Sequence, residues 1–138
     1  MKKLFLLLFI STALFSCKKD DASAPSIIGK WTLQSYKEKT TIPGSTPTES
    51  TSPGNGETIE FKTDNTVESC TNGTDCYSLN YNITNSILSV SETTDFTNAA
   101  DKWELKTFTN NSLVLYQKST ESIQGDVIIN EAWWTLSK

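Results

Sequence analysis

Apolar and polar residues alternate with a period of two along most of the chain. No long stretch repeats with the period of a helix. Trp31, Leu33 and Ser35 alternate with Thr32, Gln34 and Tyr36, which predicts a first strand. Ile59 and Phe61 mark a second, Lys62-Thr63-Asp64-Asn65 is a turn, and Thr66 to Cys70 runs back. Tyr77, Leu79, Tyr81 and Ile83 alternate with Ser78, Asn80 and Asn82, the cleanest strand of the chain. Thr84-Asn85-Ser86 turns it into Ile87 to Glu92, where Leu88 and Val90 face one way. Trp103 and Leu105 open the next strand, which ends near Phe108, and Thr109-Asn110-Asn111 leads into Leu113 to Lys118. A final strand runs from about Val127 to Leu136.

Eight short strands joined by hairpin turns predict an all-β fold, an eight-stranded antiparallel up-and-down barrel. Closure removes the exposed edges an open meander would carry. Two connections are long. Thr41 to Thr58 contains Pro43, Gly44, Pro47, Pro53, Gly54 and Gly56, and reads as a functional or disordered loop. Thr93 to Asp101 is the second, with a single helical turn expected at Asn98-Ala99-Ala100-Asp101. If the alternation holds, Trp31, Leu33, Phe61, Tyr77, Leu79, Tyr81, Leu88, Val90, Trp103, Leu105, Leu113 and Leu115 line the interior. Trp133 and Trp134 are adjacent, so one points inward and one outward.

The first 17 residues read MKKLFLLLFISTALFSC. A basic pair, a short apolar run and a small residue before Cys17 resemble the signal of bacterial lipoproteins. The run is short for a transmembrane helix. The resemblance implies removal of residues 1–16, acylation of Cys17, and stable membrane attachment through the buried acyl chains. Lys18-Lys19-Asp20-Asp21 is similar to the export signal of surface-exposed lipoproteins in some Gram-negative bacteria. It places the protein on the outer membrane, facing the cell surface, with a periplasm-facing anchor as the alternative. The chain then divides into a signal peptide over 1–16, a lipidated tether over 17–26 and one barrel domain over 27–138.

Without Lys2 and Lys3, ten of the 12 cationic residues remain against 16 acids, a balance of −6. That disfavours nucleic acid and anionic membrane surfaces as partners. Every cation is lysine, and the absence of arginine and histidine removes the usual anion clamp and the commonest general base. Cys70 and Cys76 flank the turn-forming stretch Thr71-Asn72-Gly73-Thr74-Asp75, and an exported chain makes them a disulfide across a hairpin neck. With no histidine or third free thiol, they do not complete a zinc site.

Ile28-Gly29-Lys30-Trp31 opens the first strand with a glycine, any residue and a tryptophan, and so resembles the Gly-x-Trp motif of lipocalins. The strand order, the segment Glu60 to Asn65, the tyrosine strand at Tyr77 to Ile83, the run Leu105 to Leu115 and the ending Trp134 to Lys138 are similar to the bacterial lipocalin-like domain of exported lipoproteins. The resemblance implies that Trp31 packs across a closed barrel end, under a cation from the last strands. With no arginine in the chain, Lys118 or Lys138 is left for that place, or it stays empty.

No serine or cysteine has a histidine to activate it, and there is no phosphate-cradling glycine loop. The acids Asp64, Glu68 and Asp75 lie in or beside turns, where they serve turn chemistry. The chain therefore reads as a non-enzyme without cofactor or metal. Two functions fit: a lipid-anchored module holding a small apolar or amphipathic molecule, or a surface interaction protein with a filled barrel that meets a protein or glycan through its loops and an exposed tryptophan. Its oligomeric state is not written in the sequence.

Overall fold

A computed structural model describes residues 24–97, 99 and 101–138. The expected signal peptide, Cys17 and most of the tether lie outside the described residues, as does part of the helical turn expected at Asn98 to Asp101. Nine strands follow in order: β1 (Gly29–Thr41), β2 (Thr48–Pro53), β3 (Thr58–Phe61), β4 (Thr66–Thr71), β5 (Asp75–Thr84), β6 (Ile87–Ser91), β7 (Asp101–Phe108), β8 (Ser112–Ile123) and β9 (Asp126–Ser137). Each pairs antiparallel with its neighbour from β3 to β9, and β9 returns to β1, closing the barrel.

Eight staves make this barrel because β2 and β3 share one. The upper half of β1 pairs with β2, from Ser35↔Pro53 to Thr40↔Thr48, and its lower half with β3, from Gly29↔Phe61 to Thr32↔Thr58. The expectation of a loop throughout Thr41 to Thr58 is thus corrected. Its Ser/Thr-rich middle forms β2 as an edge strand, exposed along its whole length. Gly54 makes the join: its N–H donates to the Gln34 carbonyl at 2.8 Å. A Cβ there would lie 1.8 Å from the Leu33 carbonyl oxygen.

Bulges set what faces inward. One extra residue, Gln34, interrupts the β1–β9 register between Leu33 and Ser35. Below it Trp31 and Leu33 face the core. Above it the parity reverses and Tyr36, opposite Trp134, joins the interior face. The polar-side position that simple alternation gives Tyr36 is therefore wrong. Asn85 with Ser86, and Gln124 with Gly125, turn their hairpins with positive φ at both positions.

Trp31, Phe61, Leu88, Leu113 and Leu136 are fully buried and centre the core. The end near the β3–β4, β5–β6 and β7–β8 turns is closed. There the Trp31 indole donates to the Ile27 carbonyl at 2.7 Å. Lys138 Nζ sits 4.5 Å from the Trp31 ring centroid and donates to the Ser26 and Ile28 carbonyls at 3.0 and 2.8 Å. Lys138, and not Lys118, takes the cation's place. At the opposite end β1, β2, β8 and β9 extend as a projecting sheet. On its outer face the Trp133 ring packs 5.2 Å from that of Tyr116, with the Lys37 ammonium 5.3 Å from its centroid.

Candidate functional site

Period-two strands put every second side chain inside, but filling depends on depth. At the closed end large rings meet and pack. Toward the open end the staves diverge, and a cavity of about 230 Å³ remains. Its walls are mostly apolar: Ile59, Phe61, Val67, Leu79, Leu88, Val90, Trp103, Leu115 and Trp134, with Ser69, Tyr77 and Asp101. A second, outer cleft of about 540 Å³ adjoins it, bounded by Leu33, Tyr36, Ser52, Pro53, Asn55, Glu57 and Thr71. Ile59, Ser69, Tyr77 and Trp134 line both. The inner space is below the roughly 300–1,000 Å³ of ordinary ligand pockets, and with the outer cleft the site falls within that range.

The outer cleft owes its shape to the break between β2 and β3. The backbone leaves β1 at Gly54 and returns where the Leu33 N–H donates to the Glu57 carbonyl at 2.9 Å. Asn55 and Glu57 stand in the notch so made. On the facing side the disulfide Cys70–Cys76 ties β4 to β5 at a cross-strand pair, below a turn in which Asn72 and Gly73 take positive φ. It fixes the strand ends that carry Ser69, Thr71 and Tyr77.

Trp134 occupies the boundary between the two spaces. Its ring meets Trp103 at 5.2 Å between centroids and the edge of Tyr36 at 5.8 Å. Its indole N–H is buried and, among the described residues, has no hydrogen-bond partner. A buried donor left unpaired costs about 1–3 kcal/mol. The Trp31 indole, by contrast, is satisfied at the closed end.

Two tyrosines on the interior face hold their protons tightly. Burial, then the hydrogen bond it donates to Glu38, pushes Tyr36 up to about 12. Burial, reinforced by the Asp64 charge, raises Tyr81, whose hydroxyl donates to the Lys62 carbonyl at 3.1 Å. At neutral pH both are uncharged donors. Asp64 itself accepts from the N–H and hydroxyl of Thr66, which holds its carboxyl below the usual range and shows it in turn chemistry. Glu68, Cys70 and Cys76 cluster closely enough for a metal, but both sulfurs are in the disulfide.

Of the interior positions expected from alternation, Leu33, Phe61, Tyr77, Leu79, Leu88, Val90, Trp103 and Leu115 border one or both spaces. Trp31, Tyr81, Leu105 and Leu113 do not. They face the interior as expected but pack the core toward the closed end, Trp31 and Leu113 with no exposure at all. Tyr77 stands at the mouth, 59% exposed. Alternation also passed over Ile59, Val67 and Ser69, which share the interior face of β3 and β4 with Phe61. Trp134 was unresolved between two faces, and Tyr36 was displaced by the bulge.

The model of one family, described as a lipocalin-like domain, matches residues 27–115. No curated protein and no solved structure matches the chain.

Proposed function

Because this chain belongs to the lipocalin-like domain family, we propose that its barrel holds a small apolar or amphipathic molecule at the cell envelope. The observation that carries the reading is the mostly apolar cavity left inside the barrel, with Trp134 on the boundary between it and a more polar cleft. Such a site offers an apolar body its dry walls. A filled barrel acting only through its loops is the weaker reading. Space is left inside, the middle of the long β1–β3 connection pairs with β1 as β2, and Trp133 packs against Tyr116 and Lys37.

The anchor belongs to the same proposal. Cys17 carries the acyl chains, and the outer membrane, facing the cell surface, is the location. The described chain enters the barrel at its closed end, beside Lys138. An anchor upstream therefore leaves the cavity mouth at the far end from the point of attachment. Metabolic labelling with a radioactive fatty acid tests the anchor: the native chain takes label, and continued labelling of Cys17→Ser refutes it. Native mass spectrometry of the protein isolated from its own host, with tryptophan fluorescence during lipid titration, tests the binding. Retained mass and a saturable fluorescence change are expected. No retained molecule together with unchanged fluorescence would sink the proposal.

A further inference from the structure

The walls of the two adjoining spaces carry two ionisable groups of fixed sign, Asp101 in the inner one and Glu57 in the outer, and no lysine. Among the described residues neither carboxylate takes part in an ion pair, although lysines pair with Glu49, Glu68, Glu104 and Glu131 elsewhere on the barrel. Tyr77 lines both spaces and is exposed where they meet solvent. Trp103 and Trp134 continue that aromatic wall inward. Tyrosine and tryptophan faces attract cations through their ring quadrupoles. The two carboxylates, Glu57 just before β3 and Asp101 at the start of β7, stand on different sides of the barrel and add a field of the same preference. A fatty-acid anion meets the opposite arrangement: two repelling charges and no cation to neutralise its head.

We infer that the ligand is an organic ammonium: an apolar body that fills the inner cavity, with a positively charged nitrogen toward the mouth, in the field of Asp101 and Glu57. The inference rests on the cavity-binding reading and sharpens it by charge. The inner space of about 230 Å³ suits a body the size of one substituted ring or a short alkyl chain.

Three probes with one body separate the charge claim from the binding claim: 2-phenylethylammonium, 2-phenylethanol and phenylacetate, titrated by calorimetry into the whole mature domain with its disulfide intact. The ammonium is expected to bind about two- to fivefold more tightly than the alcohol, and the carboxylate about two- to fivefold more weakly, the size of one partly exposed charge contact. Asp101→Asn and Glu57→Gln, both isosteric, should each bring the ammonium-to-alcohol ratio toward one. Added salt should do the same. If the alcohol binds as tightly as the ammonium, or phenylacetate binds best, the charge inference is overturned while the cavity reading stands. If none of the three binds, both fall.

Discussion

Lys138 closes the barrel with one ammonium, and its removal has a calculable effect. Lys138→Met keeps the aliphatic stem and deletes the charge. Two charge-assisted hydrogen bonds, to Ser26 and Ile28, are lost along with the contact over Trp31. A hydrogen bond to a charged group contributes about 1.5–3 kcal/mol when sheltered. The lysine is exposed, so solvent screening reduces each to under about 1 kcal/mol. The cation–ring contact adds about 0.5–1 kcal/mol. The variant should therefore lose about 2 kcal/mol. With a urea slope of about 1–3 kcal/mol/M, the midpoint falls by about 1 M. Tryptophan fluorescence is a direct assay, because Trp31 is fully buried beneath the ammonium. Lys138→Arg should recover most of the loss, since its guanidinium reaches the same carbonyls and stacks on the same ring. A methionine variant that unfolds at the native midpoint would refute the reasoning, and so would an arginine variant no better than methionine.

The Cys70–Cys76 bridge closes a loop with a sequence separation of 6. Its replacement by two serines should lower stability by about 2 kcal/mol in the chain-entropy account, measured by chemical denaturation. Gly54→Ala drives a Cβ into the Leu33 carbonyl, so β2 must separate from β1 or the join must shift. A loss of about 2 kcal/mol or more is expected, with faster amide exchange in β2 than in β8. Tyr36 and Tyr116 are both pushed up to about 12, Tyr36 chiefly by burial and Tyr116 chiefly by its hydrogen bond to Glu131. A folded pKa raised above the unfolded value of 10 contributes stability fully present below pH 10 and lost as pH rises toward 12. Tyrosinate absorbance should show a component near 12 that Tyr36→Phe and Tyr116→Phe each reduce.

Where one face of a strand is buried and the other wet, period two wrote the fold plainly. β5 is the example: Leu79 and Tyr81 face in, and Asn80 and Asn82 face out. β2 was illegible for the same reason reversed. Both its faces are exposed, so Thr48 to Pro53 needs no apolar residue and reads as a loop. The distal half of β8, Lys118 to Ile123, is likewise exposed, and the expected strand ended at its first residue, Lys118. The bulge at Gln34 carries no apolar signature, yet it moves Tyr36 from one face to the other. Cavity and core were indistinguishable in sequence, since Trp31 and Trp103 obey the same alternation. Distance from the closed end separates them. Trp31 lies beneath Lys138, whereas Trp103 lies on the cavity wall beside Trp134. Glu57 and Asp101 looked like loop acids until the strands brought their neighbours to one mouth.

Contact between a ligand and the Trp134 side chain on the cavity wall is what the proposed function turns on. It is tested most directly by following the four tryptophan indole N–H signals by nuclear magnetic resonance during titration with 2-phenylethylammonium, with Trp134→Phe assigning the signal in question. The Trp134 signal should move progressively to saturation, while that of Trp31, already bonded to the Ile27 carbonyl, stays in place. A Trp134 signal unmoved at ligand excess, or one that drifts with all the others without saturating, would contradict the account.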